Sequence, residues 1–579
     1  MTALLAFMAL GALLEALGIG LVVPFIGLIA KPDLSLLPGP LQGIYLSLGL
    51  TTLSRALAWT GIILLAFNIF KNVFLAVLFK VQFHFLFEKQ SQLACRLFTG
   101  YMNQPYAAHL LRDSAEIQRI INTDVFLVFD YVVIPTLTMV TEASVVVAIM
   151  AVLLTSAPAM SLTALLLLGA LGVAFFLKLR LRLDSIGREQ LHHVEYMMRW
   201  VQQGLGGFKE AKVLRRESFF VDHYAAHRSA YAEGAEFLQV AGLLPRLVIE
   251  TLSIGAILSV VTFMLAGGSQ VQSVLPTLAM FVAAAFRLMP SANRIISAVT
   301  AIRANLPRID LICRDLQAAD SAAPKDPIDQ PKGSRLGFIE CIELRGLTFR
   351  YAPEAGPALD GLSLSIPKGS SVALIGTSGG GKSTAIDILL GLLTPQSGEV
   401  LVDGVDIRSD ISAWQKKIGY IPQPVYLYDD TIRRNVAFGL PDEEIDDGEV
   451  WRALQTAQLE SHIRSLPEQL DTQVGERGVR LSGGQRQRIG IARVLYRDPE
   501  ILVLDEATSG LDNETEAEIA RAISAFSGSK TLVIVAHKLS TVRNCDRLYL
   551  LKRGKVVASG PYAELLKSSA DFKALAAAE

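Results

Sequence analysis

The sequence predicts a helical membrane domain followed by a soluble α/β domain. Apolar runs crowd residues 1–300 and then stop. Past residue 336, short β-branched runs at 371–375, 501–504 and 531–535 alternate with helical stretches, which is typical of a parallel sheet covered by helices. Only 19% of the 579 residues are charged, against about 25% in an average soluble chain. The chain is therefore not soluble throughout.

Six segments of the first half are apolar and long enough to span a bilayer, because about 20 helical residues cover a hydrocarbon core of about 30 Å. Residues 155–177 and 251–286 contain no Asp, Glu, Lys or Arg, and a Gly-Gly-Ser-Gln sequence at 267–270 divides the second stretch. The run after Met1 is predicted to be a span rather than a signal peptide, since it lacks a basic N-terminal region and contains Glu15. The predicted spans are about residues 4–29, 56–78, 131–154, 159–177, 241–266 and 273–296.

Basic residues in the connections predict the orientation of these spans. The connections at 80–124 and 178–240 carry five and ten Lys or Arg residues, whereas the opposite side carries only Lys31 and Arg55. Basic loops remain in the cytoplasm. Both long connections, both termini and the α/β domain are therefore predicted to be cytoplasmic.

Composition also predicts the domain boundaries. The membrane domain is predicted to cover residues 1–316 and the α/β domain residues 337–579. Between them, residues 317–336 have the Pro, Ala, Ser and charge content of an exposed linker.

Charge, cysteine and histidine content exclude several classes of function. The 54 Lys and Arg residues balance 55 Asp and Glu residues, so no basic surface for a nucleic-acid partner is predicted. His223 and His227 are spaced i,i+4, but no further zinc ligands lie nearby in the sequence, which favours a solvated helix face. The cysteines are far apart and form no CxxC pair, so neither a disulfide framework nor a thiolate metal site is predicted: Cys95, Cys313, Cys341 and Cys545.

A glycine-rich loop carries the first chemical signal. The sequence GTSGGGKST follows an apolar strand and precedes the helical sequence AIDILLGLL. Such glycines let the backbone curl so that N–H groups face a phosphate, while Lys382 reaches the β and γ oxygens and Ser383 ligates Mg²⁺. The predicted phosphate-binding residues are Gly376, Thr377, Ser378, Gly379, Gly380, Gly381, Lys382, Ser383 and Thr384.

Acidic residues at the end of another strand carry an independent signal. The sequence ILVLDE places Asp505 and Glu506 after a buried strand. In that position Asp505 can hold Mg²⁺ through water, and Glu506 can polarise an attacking water molecule. The pair therefore supports the prediction of a phosphate site with Mg²⁺.

Between these two motifs lies LSGGQ at 481–485, and with it the chain resembles the ATP-binding cassette (ABC) transporters. The whole order of motifs in that family is present: Tyr351, the glycine-rich loop, Gln423, LSGGQ, Asp505 with Glu506, residues 509–512 and His537.

The resemblance implies a role for each residue of this series. Tyr351 is expected to stack on the adenine of ATP. Glu506, His537 and Gln423 are expected to be the catalytic residues. The expected ligands of Mg²⁺ are Ser383, Gln423 and Asp505.

The LSGGQ motif also implies an assembly. Its residues are expected at a helix N-terminus, whose N–H groups and positive dipole end suit a γ-phosphate: Ser482, Gly483, Gly484 and Gln485. In the resembled family that phosphate is held by the glycine-rich loop of the opposite subunit, and the usual number of spans is twelve. One chain with one cassette and six spans is therefore expected to act as a homodimer with two composite ATP sites.

The membrane half resembles the exporters in which long helices continue into the cytoplasm and dock on the cassettes. The stretches at 80–124 and 204–220 resemble the first and second docking elements of these exporters. Exporters of this type usually begin with a helix along the membrane surface, whereas here the first span is predicted within a few residues of Met1. The resemblance therefore predicts either a start further upstream or a variant without that helix.

Local sequence narrows the resemblance to bacterial flippases for lipid-linked oligosaccharides. It is carried by LLEALGIGLVVPFIGLIA, KEAKVLRRESFF, GLLPRLVIETL and AFRLMPSANRIISAV. The implied function is ATP-driven flipping of a lipid-linked glycan in a bacterial cytoplasmic membrane. Export of a lipid, a peptide or a hydrophobic drug is the alternative. An ATP-gated channel or regulator is disfavoured by the presence of Glu506 and His537.

Charged residues in the predicted spans indicate a candidate substrate path. A charge at mid-membrane costs about 2.5–3.5 kcal/mol, so it usually faces a cavity or a partner. Arg246 and Glu250 are spaced i,i+4 and could pair with each other, while arginines such as Arg287 could bind a diphosphate bidentately. The charged residues concerned are Glu15, Glu142, Arg246, Glu250, Arg287 and Arg294.

Overall fold

The computed structural model describes most of the chain, and the described residues form two compact units. The helical unit comprises Met1–Gln104 and Leu111–Ala323, and the α/β unit comprises Pro105–Leu110 and Pro324–Glu579. The described residues are 6–15, 17–18, 53–110, 112–156, 158–266, 271–322, 336–505, 526, 528–536 and 538–577.

Long helices dominate the helical unit. Two π-helical turns, Ile120–Asp124 and Phe129–Val133, lie on either side of α5. The helices are α1 (Ala6–Glu15), α2 (Leu53–Met102), α4 (Ser114–Arg119), α5 (Val125–Val128), α6 (Ile134–Ser156), α7 (Pro158–Gly206), α8 (Phe208–Val213), α9 (Glu217–Ala266) and α10 (Val271–Ala322); α3 (Tyr106–Leu110) belongs to the α/β unit.

Helices α2, α7, α9 and α10 run well past the predicted spans. They have 50, 49, 50 and 52 residues, which corresponds to about 75 Å each at 1.5 Å per residue. Within the described part of the chain, Leu57–Met102 and Ser114–Ala151 have the length and composition to cross a membrane. The predicted first span at 4–29 is described only as far as residue 18. The presence of six spans therefore remains a prediction.

Helix α10 continues to Ala322, six residues into the predicted linker. Residues 317–322 contain neither Pro nor Gly, and Pro324 is the first helix-breaking residue in the sequence. The helix therefore continues through the first part of a segment whose composition predicted a linker. Of the remaining linker residues, 323–335 lie outside the described residues, and Leu336 is buried in the α/β unit.

A buried ion network joins α10 to the π-helical turn Ile120–Asp124. Arg119, Asp124 and Arg308 are only 1%, 0% and 3% exposed. Arg119 NH1 lies 3.1 Å from Asp124 Oδ2, and the Arg308 guanidinium contacts Asp124 Oδ1. A buried charge is tolerated only when it is paired. The network therefore requires the turn and α10 to keep this alignment.

A second polar contact joins the end of α2 to α10. The hydroxyl of Tyr101 and the guanidinium of Arg112 both donate to Asp315 Oδ2, at 2.6 and 2.7 Å. Burial and the Asp315 carboxylate raise the pKa of Tyr101. The phenol therefore stays protonated and donates.

His223 and His227 pack against α7, contrary to the prediction of a solvated face. His227 Nδ1 lies 3.0 Å from His193 Nδ1, and the ring of His227 stacks on Tyr196 with centroids 4.9 Å apart. His223 packs on Trp200 with a centroid distance of 4.4 Å. These histidines therefore form contacts between α7 and α9. Among the described residues, no group of three or more His, Cys, Asp or Glu is arranged to hold a metal ion.

The α/β unit contains two sheets. A four-stranded antiparallel sheet has the order β2-β1-β4-β5, and a six-stranded sheet has the order β10-β9-β3-β8-β7-β6, parallel except at β10. The strands are β1 (Cys341–Phe349), β2 (Leu359–Pro367), β3 (Ser371–Ile375), β4 (Ser397–Val402), β5 (Val405–Asp406), β6 (Ile418–Ile421), β7 (Ile501–Asp505), β8 (Thr531–Val535), β9 (Arg547–Lys552) and β10 (Lys555–Gly560).

The three predicted strands are β3, β7 and β8, and the predicted parallel sheet is confirmed. All five residues of β3 are buried, as expected for a strand covered on both faces. The antiparallel sheet was not predicted. In β1 the alternation of buried and exposed residues breaks at Arg345 and Gly346, where the pairing with its neighbours shifts register. This interruption obscures the period-2 pattern of a strand.

The helices of the α/β unit pack around two hydrophobic cores. The first core contains Trp414 and the inner face of α11, and the second contains Ile489 and other residues of α16. The helices are α11 (Lys382–Leu389), α12 (Ile411–Lys416), α13 (Ile432–Val436), α14 (Asp447–Thr456), α15 (Glu460–Ser465), α16 (Gly483–Leu495), α17 (Leu539–Val542), α18 (Tyr562–Ser568) and α19 (Ala570–Ala577).

We expect Asp124→Asn to destabilise the protein by about 3–5 kcal/mol, because it leaves two buried guanidinium groups without a counter-charge. Asp320→Asn is the matched control, since it removes the partner of Arg96 in a pair whose side chains are 61% and 58% exposed. That change should cost about 0–1 kcal/mol. Thermal or denaturant unfolding of the purified variants measures both values, and similar small losses would contradict a structural role for the buried network.

Candidate functional site

One edge of the six-stranded sheet collects several of the predicted site residues. Strands β3, β8, β7 and β6 are neighbours and run parallel, so their carboxyl ends meet at the same edge. The glycine-rich loop follows β3, Asp505 ends β7, and Gln423 lies two residues after β6. Glu506 and His537 follow β7 and β8 in the sequence, but both lie outside the described residues, as do residues 509–512.

The glycines of the loop are required by its backbone. Gly376, Gly379 and Gly381 have φ angles of +144°, +75° and +98°, which side chains disfavour. A Cβ at Gly376 would lie 2.2 Å from the carbonyl oxygen of Leu551, and a Cβ at Gly381 would lie 2.6 Å from that of Ala358. The loop therefore curls as the sequence predicts.

Lys382 lies inside this curl. Its side chain is buried, and its ammonium donates to the carbonyl oxygens of Gly376 at 2.7 Å and Thr377 at 3.2 Å. Helix α11 begins at Lys382. Its N-cap residue is Gly381, so no side chain caps the first N–H groups of the helix. The first-turn N–H groups of such a helix suit an anion. The cradle and its lysine therefore fit a phosphate chain.

Tyr351 stands beside the same helix. Its hydroxyl lies 3.0 Å from Thr384 Oγ1, and its ring meets Phe349 edge-on with centroids 5.0 Å apart. The residue is 47% exposed. These contacts hold the ring at the glycine-rich loop while leaving part of it open, as a stacking platform for an aromatic base requires.

Two carboxylates near the loop create a site that suits a cation. Burial, and then the charge of Asp505, raise the pKa of Asp387 on α11 to about 6. The hydroxyl of Tyr420 donates to Asp505 Oδ2 at 3.4 Å, and burial and Asp505 raise its pKa. Carboxylates that disfavour each other's charged form are relieved by a metal ion. The arrangement therefore fits the predicted Mg²⁺ ligand Asp505.

Asp387 and Tyr106 lie at the site although no sequence motif indicates them. Tyr106 begins α3, which belongs to the α/β unit although it lies far away in the sequence. Burial, followed by Asp387 and Tyr351, raises the pKa of Tyr106. Asp387 sits within the predicted helix sequence, but only the tertiary arrangement shows its neighbours.

The LSGGQ motif forms the start of α16 through a capping box. Ser482 Oγ accepts from the N–H of Gln485 at 3.2 Å, and Gln485 Oε1 accepts from the N–H of Ser482 at 2.8 Å. Ser482 and Gly483 are exposed. The predicted helix N-terminus is confirmed. Helix α16 packs in the second hydrophobic core, whereas α11, which follows the glycine-rich loop, packs in the first.

Four of the six charged residues of the predicted path, Glu15, Glu142, Arg287 and Arg294, meet in the helical unit. Arg294 Nε lies 2.7 Å from Glu142 Oε1, Arg287 NH1 lies 3.8 Å from Oε2, and Ser291 donates to Oε2 at 2.6 Å. Arg287 also pairs with Glu15 of α1. We call Glu15, Glu142, Arg287, Ser291 and Arg294 the charged cluster. Glu142 is its buried centre, whereas the side chain of Arg294 remains 47% exposed.

Arg246 and Glu250 on α9 do not join this cluster. Both residues are exposed. Within the described residues they also form no ion pair with each other, so the i,i+4 pairing left open by the sequence is not observed.

Comparison with known proteins agrees with this geometry. The sequence model of the ABC transporter family matches residues 359–509. An ATP-dependent lipid A-core flippase of Burkholderia orbicola is 32% identical over 392 residues, which cover 67% of this chain and 64% of that protein. The same kind of flippase from Cupriavidus metallidurans is 32% identical over 438 residues, covering 74% of this chain and 72% of that protein.

A solved structure shows the same fold. The structure of a bacterial Atm1-family ABC exporter with ATP bound matches with a TM-score of 0.80. The match covers 100% of this chain and 99% of that chain at 24% identity. The two chains therefore share a fold in which a helical unit is joined to an α/β unit.

We expect Asp387→Asn to stabilise the protein at pH 8 in the presence of EDTA. The folded pKa of Asp387 of about 6 lies above the unfolded value of about 3.9, so charged Asp387 costs stability above pH 6. Because the carboxyl group is half-buried, we expect a gain of about 1 kcal/mol, less than the full shift would give. The gain should shrink as the pH falls through 6 towards 4.

Thermal unfolding at pH 8 and pH 5 measures this difference. Asp498→Asn is the control, since that carboxylate is 89% exposed and its loss should change stability by less than about 0.5 kcal/mol. An equal gain for Asp387→Asn at both pH values would show that the carboxylate charge is not its cause.

Proposed function

Because this chain belongs to the ABC transporter family, we propose that it is one half of an ATP-driven exporter that moves a lipid-linked oligosaccharide across a bacterial cytoplasmic membrane. The observation that carries the proposal is the assembled edge of the six-stranded sheet. There the curled loop with buried Lys382, the ring of Tyr351 and the carboxylate of Asp505 stand together. These are the parts that ATP binding and hydrolysis require.

Each residue of the site then has a task. The N–H groups of residues 376–384 and the Lys382 ammonium bind the phosphates, and Tyr351 stacks on the adenine. Ser383, Gln423 and Asp505 would hold Mg²⁺, which would neutralise negative charge on the phosphates when bound. Glu506 acts as the general base towards water.

The proposed assembly is a homodimer with two composite sites. The LSGGQ helix and the glycine-rich loop lie on different cores of the α/β unit. A helix start with exposed Ser482 and Gly483 suits the γ-phosphate held by the loop of a second copy. Closing two copies on two ATP molecules therefore completes both sites.

The charged cluster supports an anionic amphipathic substrate. Each hydroxyl of an oligosaccharide costs a few kcal/mol if it crosses hydrocarbon unpaired, and a diphosphate requires cations. Arg294 is paired on one side with Glu142 but remains half exposed, and Arg246 is exposed on α9. Guanidinium groups in these positions can bind a diphosphate bidentately, while the lipid tail stays in the bilayer.

A second candidate substrate is favoured by the relatives. Those reported above are named ATP-dependent lipid A-core flippases, and the matched part of this chain spans about two thirds of their length. A glycolipid of that kind also joins sugars to a charged lipid, so the same cluster would suit it. Export of a simple lipid, a peptide or a hydrophobic drug is the broader alternative.

ATPase activity of the full chain in lipid nanodiscs tests the proposal. We expect stimulation by a polyprenyl-diphosphate oligosaccharide, with no activity in Glu506→Gln. Stimulation by a lipid A-core glycolipid instead would move the substrate to the second candidate. Selective stimulation by a phospholipid or a drug would overturn the glycan proposal, and the absence of any ATPase activity would overturn the function.

We expect Arg294→Gln to raise the concentration of oligosaccharide lipid needed for half-maximal stimulation by about tenfold, because charge-assisted hydrogen bonds contribute about 1.5–3 kcal/mol. Arg314→Gln is the matched control, since Arg314 is an exposed residue of the same helix outside the predicted span. It should leave this concentration unchanged. Identical titration curves for the two variants would remove Arg294 from the substrate path.

A further inference from the structure

His462 contacts the side chain of the LSGGQ glutamine. It lies half-buried on α15, and its Nε2 is 2.9 Å from Nε2 of Gln485 on α16. Gln485 is at the same time one half of the capping box that begins α16. The imidazole is therefore in contact with the group that sets the start of the proposed γ-phosphate helix.

The capping box determines which way the Gln485 amide faces. The backbone N–H of Ser482 can only donate, so the amide atom 2.8 Å from it must be the oxygen. The NH₂ group of Gln485 then faces His462. An NH₂ group only donates, so the imidazole Nε2 must accept. The contact therefore requires a neutral imidazole with its proton on Nδ1.

Protonation of His462 is incompatible with this arrangement. A protonated imidazole carries hydrogen on both ring nitrogens, so Nε2 would present a donor to the NH₂ group. A flip of the amide would restore that contact, but it would turn the NH₂ group towards the N–H of Ser482. Either outcome removes one hydrogen bond from the group that begins α16.

Charged residues on α15 and on the elements next to it are engaged in other contacts. Glu460 accepts from Arg464 at 2.8 Å, and Glu449 pairs with Arg452. Asp471, on the turn packed against α15, lies 3.5 Å from Arg433. On α16, Arg486 and Arg488 donate to the carbonyl oxygens of Gly478 and Gln458. The side chain of Gln485 is therefore the polar contact that the structure describes for the His462 imidazole.

We propose that His462 is a positioning residue that orients the LSGGQ helix through Gln485 and loosens it when protonated. The inference rests on the proposed function, since it assigns a regulation to the same ATP site. ATP turnover therefore falls at acidic pH, because protonation of the imidazole leaves the helix start that meets the partner's γ-phosphate less well held.

Three variants of the full chain in nanodiscs test this proposal. His462→Gln places an amide oxygen within reach of the Gln485 NH₂ group and cannot titrate. His462→Leu removes the acceptor, and His462→Lys places a permanent donor there. His84→Gln, at an exposed position of α2, is the control for loss of a histidine.

The readout is kcat/KM for MgATP between pH 8 and pH 5.5, expressed as the ratio of variant to wild type at each pH. At pH 8 we expect the Gln variant to match the wild type, and the Leu and Lys variants to be about threefold to tenfold lower. At pH 5.5 the Gln variant should exceed the wild type by a similar factor. Affinity for MgADP, which has no γ-phosphate, should be the same in all variants.

The outcomes separate this inference from the proposed function. Wild-type ATPase activity with a Gln-to-wild-type ratio that stays constant with pH would overturn the role of His462 and leave the proposed function intact. Loss of MgADP affinity together with turnover would show that His462 has only a structural role. The absence of ATPase activity in the wild type at every pH would instead overturn the proposed function.

Discussion

Parallel pairing of β3, β8, β7 and β6 is the constraint on which the nucleotide site depends. Strand β8 lies between β3 and β7, so the last residues of β3 and β7, Ile375 and Asp505, lie at the same edge although they are far apart in the sequence. Parallel strands present their last residues together, and the following loops therefore share one crevice. The buried strands hold this arrangement rigidly, which allows the loop of residues 376–381 to adopt a backbone that only glycines tolerate.

The site has a cost in stability that its chemistry explains. Asp387 and Asp505 disfavour each other's charge, and Lys382 is buried and donates to the carbonyl oxygens of Gly376 and Thr377. Such groups are expensive in a core that exists only for stability. They are useful where a polyanion and a divalent cation bind, because the ammonium attracts the polyanion and the carboxylates attract the cation.

Charges in the helical unit divide into two kinds. The Arg119–Asp124–Arg308 network is buried on every side and joins two helical segments. The charged cluster around Glu142 instead keeps one guanidinium half exposed. A fully buried pair aligns helices but has no open face for a ligand, whereas a cluster with an exposed cation has one. Burial therefore separates a structural role from a candidate binding role among residues of the same type.

Local sequence predicted the two-unit architecture, the strands at 371–375 and 531–535, and the position of Lys382 and the LSGGQ helix start. These follow from local signals, namely long apolar runs, β-branched runs and glycine spacing, which act over a few residues. The tertiary structure alone decided the contacts made by single polar side chains. Glu142 at the centre of its cluster, Asp387 beside Asp505, and His462 against Gln485 each depend on packing between elements distant in the sequence. A lone Glu, Asp or His carries no local signal for its partner, since a side chain's neighbours are set by how helices and strands pack.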